Sequence, residues 1–197
     1  DYRSSRGLGD VYKRQGTTNA DFPGATTIRD AFTDTVEAAG GTLDYSATGS
    51  FTTTPDAVIV VISEQPYAEG NGDLQNLDWS ASGVLNQVQG LRDSGIPVVT
   101  LLMSGRPMFI NPELNLSDAL VASWLPGTEA AGISDVLFTD AQGNAAHDMT
   151  GRLSFSWPGG AINPANAEAP VSAALFDRGY GLSYADIQDL PMPVSYT

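Results

Sequence analysis

Three carboxylates lie close together in a glycine-rich loop that follows an apolar run. Residues 58–62 are five consecutive β-branched residues, VIVVI, which is typical of a strand buried on both faces. The loop after this run carries the three acids Glu64, Glu69 and Asp73, with Gly70 and Gly72 between the last two. In an open parallel sheet, ligands bind at the carboxyl ends of the strands. Carboxylates at that edge indicate proton transfer or sugar recognition, and not phosphate binding.

The other residues of this loop suggest supporting roles. Glu64 stands where the strand ends, so we expect it to accept hydrogen bonds from backbone N–H groups and to hold the loop. Two roles are open for Tyr67: packing the loop against the domain, or lining a sugar pocket. Asn71 and Asp73 either bond sugar hydroxyls or form turns. Trp79, which follows the loop, is a candidate for stacking on a sugar ring.

Other kinds of chemistry have weak support. Gly70 and Gly72 belong to no GxGxxG or GK[ST] motif, which disfavours a phosphate-cradling loop. Ser104 lies in no GxSxG motif, so a catalytic triad built on His147 is unsupported. With no cysteine and a single histidine, the sequence excludes thiol catalysis, cysteine zinc sites and multi-histidine metal sites. We therefore expect neither a metal nor a cofactor.

Length and charge narrow the class of protein. The chain has 197 residues, of which 42% are hydrophobic, enough for one α/β domain with a sizeable core. Its net charge of −14 argues against nucleic-acid or anionic-membrane partners, which need basic patches. No apolar stretch reaches the roughly 18 residues of a membrane span.

Residues 1–15 differ from the rest of the chain. They carry four of the nine basic residues and include its only lysine, Lys13. They lack the apolar segment of a signal peptide, and the string DVYKRQ looks like a translated sequencing adaptor. We expect a non-native or disordered head at 1–15, the folded domain at 16–158, and an irregular C-terminal segment of the same domain at 159–197.

Strand and helix signals alternate from residue 16 onward. They predict a three-layer α/β/α sandwich around a mostly parallel sheet of about six strands. Strands are expected at 42–45, 57–62, 96–103, 119–124 and 153–157, and helices at 26–39, 82–94 and 128–138. The runs at 58–62 and 98–102 are expected to be neighbouring central strands, both buried on two faces.

Five motifs occur in an order that resembles a known family. They are SEQPYAEGNGD at 63–73, SGRP at 104–107, WLPGTEA at 124–130, GRLSFSWP at 151–158 and FDRGYGLSY at 176–184. Together they resemble the C-terminal α/β sandwich domain of glycoside hydrolase family 3, in its exo-acting β-glucosidase and β-glucan exohydrolase type. The resemblance covers roughly residues 16–184. One departure is Ser63, where the family usually has glycine.

The resemblance implies a divided active site. Enzymes of this family retain anomeric configuration, using a nucleophilic Asp on a preceding (β/α)8 barrel and a general acid/base Glu on the second domain. That Glu matches Glu69, not Glu64. The barrel is absent from this chain, so we expect the chain alone to be inactive. The implied substrate is a β-glucoside or β-glucan oligosaccharide, and the implied location is periplasmic or extracellular.

Two functions from different classes follow. The first is the second domain of a retaining exo-β-glucosidase, with Glu69 as acid/base. The alternative is a non-catalytic α/β module that shapes or shields a partner domain's active site. In either case Arg106 and Arg152 are expected to bridge carboxylates at loop ends, since basic residues are scarce outside the head.

Overall fold

A computed structural model describes residues 22–64, 67, 69–78, 82–160 and 174–188. Within these residues it contains four α-helices, five strands and one 3-10 turn. The helices are α1 Ile28–Ala38, α2 Ser82–Asp93, α3 Asn111–Leu116 and α4 Ala131–Leu137. The strands are β1 Val58–Ser63, β2 Val98–Met103, β3 Ala119–Ala122, β4 Trp157–Pro158 and β5 Ala174–Phe176, and the turn is Glu69–Gly72. The head and the end of the C-terminal segment lie outside the described residues.

Local signals explain the first helix. Thr27 caps α1, because its Oγ1 accepts a hydrogen bond from the Asp30 N–H at 3.1 Å. The helix is followed by Gly40, whose φ of +80° lies in the left-handed region that favours glycine. The observed α1 agrees with the helix predicted at 26–39.

The central sheet is parallel and has the strand order β1-β2-β3 among the described residues. Val58 pairs with Val98 and Ser63 with Met103, so β1 and β2 run side by side over their whole length. The predicted α/β class and the adjacency of the two apolar runs are confirmed. The sheet has three described strands where about six were expected, and residues 42–45 form no strand.

The expectation that β1 is buried on both faces was wrong. Val61 is 40% exposed, and β1 is an edge strand of the described sheet. By contrast, every residue of β2 is buried or half-buried, because β2 has a strand on each side. A continuous β-branched run indicates a strand, but its place in the sheet depends on which other segments pair with it.

Helices cover both faces of the sheet, which gives the three layers. On one face, α1 and α4 pack against β2 through Phe32, Ile133 and Leu101. On the other face, Val88 and Leu91 of α2 pack against Val98. No helix in the described part of the chain is long and apolar enough to span a membrane.

The second half of the chain differs most from the prediction. The sequence pattern missed the short helix α3. It also left the segment from residue 159 irregular, whereas β5 pairs antiparallel with β4. Trp157 of β4 is buried against Ile62 and Leu102 of the parallel sheet, and its Nε1–H donates to the Met108 carbonyl at 2.8 Å. The two-stranded sheet of β4 and β5 therefore contributes to the core.

Candidate functional site

The loops after β1 and β2 meet at one edge of the sheet. Since the strands are parallel and in register, the residues after Ser63 and Met103 emerge together. The Glu64 N–H donates to the Met103 carbonyl at 3.0 Å, which extends the pairing by one residue. The carboxyl edge of the sheet therefore brings the acidic loop of β1 beside the SGRP segment that follows β2.

Glu64 holds the two loops together. One carboxylate oxygen, Oε1, accepts from Nε of Arg106 at 2.7 Å, and Oε2 accepts from the Gly105 N–H at 3.0 Å. Its side chain is only 7% exposed. Both carboxylate oxygens therefore bind neighbours, which is the arrangement expected of a residue that anchors the loop at the strand end.

Arg106 extends this anchor to the acidic loop. Its Nη1 donates to the Gly72 carbonyl at 2.7 Å, and its guanidinium lies 4.2 Å from the centre of the Tyr67 ring. The turn that carries Arg106 is itself held, because the buried Ser104 hydroxyl donates to the Arg106 carbonyl at 2.7 Å. One guanidinium thus joins the end of β1 to the 3-10 turn, which is the kind of fixed, forked contact that arginine provides.

Tyr67 packs against both Arg106 and the turn. A side-chain carbon built on Gly72 would lie 2.8 Å from Cγ and 2.6 Å from Cε2 of the Tyr67 ring, so the ring rests directly on the Gly72 backbone. Burial raises the pKa of the Tyr67 hydroxyl, the Glu64 charge adds to this, and the Arg106 charge opposes it. Of the two roles left open for Tyr67, these contacts support packing of the loop.

The 3-10 turn places the remaining candidates of the loop. Glu69 is its first residue and Asn71 its third, but their side chains lie outside what the structure describes. Asp73 follows the turn, is exposed, and donates its N–H to the Gly70 carbonyl at 3.2 Å. Trp79 lies outside the described residues. The structure thus joins Glu64, Tyr67 and Arg106, and the last two contact Gly72, the last residue of the turn that begins at Glu69.

The second predicted arginine bridge is not seen. Arg152 is exposed and its Nη1 donates to the Gly151 carbonyl at 2.9 Å, and in the described part of the chain the one ion pair is Arg106 with Glu64. Arg106 can pair with a carboxylate because it follows β2 beside the acidic loop, whereas Arg152 lies in an exposed segment.

A feature that the sequence reasoning missed lies at the end of β3. Trp124 is half-buried and adopts a φ of +51°, an uncommon conformation for a non-glycine residue. Its ring contacts Trp157 and the exposed Phe155, with ring centres 5.7 Å and 5.9 Å apart. Apolar composition alone gave no signal of this backbone conformation, which arises where the chain leaves the sheet.

A family model and two known proteins are similar to this chain. A model of the glycosyl hydrolase family 3 C-terminal domain matches residues 7–184. The lysosomal beta glucosidase of Dictyostelium discoideum is 39% identical over 66% of this chain and 16% of that protein. The periplasmic beta-glucosidase of Salmonella typhimurium is 31% identical over 66% of this chain and 19% of its own length.

A solved structure matches the fold over most of the chain. An exo-1,3/1,4-beta-glucanase from a Pseudoalteromonas species superposes with a TM-score of 0.82 at 43% identity, over 92% of this chain and 23% of the other. The chain therefore spans less than a quarter of each of these three larger proteins.

Proposed function

Since the chain belongs to the glycosyl hydrolase family 3 C-terminal domain family, we propose that it is the second domain of a retaining, exo-acting β-glucosidase or β-glucan glucohydrolase. In this proposal Glu69 is the general acid/base, and the nucleophile is an Asp on a preceding (β/α)8 barrel domain. The size difference between this chain and its relatives supports the presence of such a further domain.

The proposed reaction has two steps. In the first, the Asp of the barrel attacks the anomeric carbon while Glu69 gives its proton to the leaving glycosidic oxygen. In the second, Glu69, now a carboxylate, takes a proton from water, which attacks the same carbon and releases the Asp. Retention requires the two carboxyl groups to lie about 5–5.5 Å apart on opposite faces of the sugar ring. The acid must therefore stand on an edge that faces the barrel.

The observation that carries the proposal is the attachment of the turn that begins at Glu69. Arg106 binds the carbonyl of Gly72, the last residue of this turn, and Glu64 binds Arg106. Glu64 is occupied by these contacts and Asp73 lies beyond the turn in the exposed part of the loop. These contacts support the assignment of Glu69, which rests on the match to the family's motif, because they hold the backbone of the turn that carries it.

The substrate follows from the same assignment. The substrate in this proposal is the terminal β-D-glucosyl residue of a β-glucoside or β-glucan oligosaccharide, in line with the beta-glucosidase and beta-glucanase names of three similar proteins. We assign Asn71, Asp73 and Trp79 to the rim of the sugar site, and Tyr67 to the packing of the turn beneath Arg106. The periplasmic and lysosomal names of two relatives support a location outside the cytosol, here the periplasm or the extracellular space.

Replacing Glu69 with glutamine in the full-length protein tests the proposal. The variant should hydrolyse an unactivated glucoside far more slowly, by about 10²–10⁴-fold, because general acid catalysis typically contributes that much. A glucoside with an acidic phenol leaving group should be much less affected, and external azide should restore its second step. The isolated 197-residue chain, which lacks the proposed nucleophile, should release no more product than buffer.

Glu64→Gln is the matched control, since it removes a neighbouring carboxylate of the same loop. If this variant showed the dependence on leaving group and Glu69→Gln did not, the acid would be Glu64. If neither variant changed hydrolysis, the domain would be a non-catalytic module that shapes the barrel's active site. Turnover by the isolated chain would show that the active site is not divided.

A further inference from the structure

We propose that Arg106 is a positioning residue for the general acid, acting through the backbone of the turn rather than by touching the substrate. This inference rests on the assignment of Glu69 as the acid. The three residues that carry it are those that Arg106 joins: Glu64 at the end of β1, Gly72 at the end of the turn, and Tyr67 between them.

The guanidinium group of Arg106 makes three different contacts, through Nε, through Nη1 and through its plane. Its Nε edge binds the buried carboxylate of Glu64 at 2.7 Å, which ties Arg106 to the rigid sheet. Its Nη1 binds the Gly72 carbonyl at 2.7 Å, and its flat face covers the Tyr67 ring at 4.2 Å. Since these contacts use two nitrogens and the plane of one group together, a lysine ammonium cannot reproduce them all.

The link from Gly72 to Glu69 is short. The two residues are the ends of one four-residue 3-10 turn. Such a turn rises about 2 Å per residue, so holding its last carbonyl places its first residue about 6 Å away along the turn. A misplacement of about 1 Å in a catalytic group can reduce the rate by about 10²-fold. Loosening the Gly72 carbonyl should therefore act mainly on proton transfer by Glu69.

The contacts of Tyr67 strengthen this inference. Its ring lies against the Gly72 backbone and under the Arg106 guanidinium. Movement of the turn would therefore have to displace the ring as well as break the bond to Arg106. The turn is held by a charged hydrogen bond and by packing together, which is the support that a preorganised acid needs.

The first test measures the turn itself in the present chain. Hydrogen exchange in peptides that cover residues 64–73 should become at least about tenfold faster in Arg106→Ala and less so in Arg106→Lys. Arg29→Ala is the control, because Arg29 also lies over a tyrosine ring, Tyr45 at 4.6 Å, but far along the chain from the turn. Unchanged exchange in both Arg106 variants would overturn the proposal.

The second test measures catalysis in the full-length protein. Arg106→Ala should lower kcat for an unactivated glucoside by about 10²-fold with little change in KM, and should affect an acidic-phenol glucoside much less. The same substitution should add almost nothing in a Glu69→Gln background, because it acts through Glu69. If Arg106→Ala fails to fold, Arg106→Lys, which keeps the charge beside Glu64, should show the same dependence on leaving group to a smaller extent.

The outcomes separate this inference from the assignment of the acid. An equal loss on both substrates, or a full further loss on top of Glu69→Gln, would mean that Arg106 has only a general structural role. If Glu69→Gln itself showed no dependence on leaving group, the assignment of Glu69 would fail and this inference with it. Faster exchange in the Arg106 variants would then show only that Arg106 holds the loop.

Discussion

Replacing Gly72 with alanine perturbs the contact on which the turn rests. The new Cβ would lie 2.8 Å from Cγ and 2.6 Å from Cε2 of Tyr67, and closer still to Cδ2, whereas ordinary contacts of this kind are 3.4–4 Å. The ring would have to move by roughly 1 Å, since the clash involves its near side, including Cγ, as well as Cε2. That movement would also disturb the Arg106 guanidinium, which lies 4.2 Å from the ring centre.

The expected cost follows from these two effects. Overpacking a well-packed site costs about 1–3 kcal/mol, and losing the cation–π contact costs at least about 0.5–1 kcal/mol. We expect Gly72→Ala to lower the free energy of unfolding by about 2 kcal/mol. For a domain of this size, that corresponds to a fall in Tm of about 4–8 °C.

Gly70→Ala provides a matched control in the same turn. A Cβ on Gly70 would meet no atom within 4 Å, and neither glycine has a positive φ. The control should be neutral or stabilising by about 0.4–1 kcal/mol, because alanine restricts the unfolded chain. Urea unfolding of the parent, Gly72→Ala and Gly70→Ala measures their free energies of unfolding. Equal stabilities for the two variants would refute the packing of Tyr67 against Gly72 and weaken the case for a held turn.

Two further predictions concern buried groups away from the turn. Glu113 is 4% exposed and neither of its carboxylate oxygens has a hydrogen-bond partner in the described structure. Burial raises the pKa of this carboxyl above its ordinary value of 4.5, its own backbone N–H opposes this, and the charge of Asp78 adds to it. The folded state therefore holds this proton more tightly, so the stability that the proton contributes is complete below pH 4.5 and is lost as the pH rises through the folded pKa. Glu113→Gln should have the same urea midpoint as the parent at about pH 4 and a higher midpoint at about pH 8. A difference in midpoint that does not depend on pH would contradict this prediction. Trp157→Phe should lower the free energy of unfolding by at least about 1–3 kcal/mol, because it leaves the Met108 carbonyl without its 2.8 Å donor. Phe155→Leu, which changes the exposed ring beside Trp124, should alter the Tm little. A Trp157→Phe variant as stable as the parent would contradict this prediction.

The regular elements of the first half could be predicted because their signals are local. Helix α1 has its Thr27 cap and its Gly40 stop within a few residues of its ends. Helix α2 ends before Gly95, which has a φ of +74°, and the apolar runs of β1 and β2 need no partner to be recognised as strands. The order of motifs along the chain also indicated the family, since such motifs are read directly from the residues.

The sequence also selected the loop of the candidate site, but not its internal contacts. An acidic, glycine-rich loop after a strand predicts an edge of the sheet where ligands bind. The position of Glu64 at the strand end predicted its anchoring role, whereas the choice of Glu69 as the acid came only from the resemblance to the family. The contacts of Glu64 with Gly105 and Arg106 support its anchoring role on independent physical grounds.

What only the tertiary structure decided depends on residues far apart in the chain. Arg106 lies 42 residues from Glu64 and 34 from Gly72, and no periodic pattern links positions at such separations. The exposure of Val61, the left-handed backbone of Trp124 and the pairing of β5 with β4 are of the same kind. Each is set by which strands become neighbours and where the chain leaves the sheet. Local propensity forms the elements, but their contacts exist only once packing has brought the strand ends together.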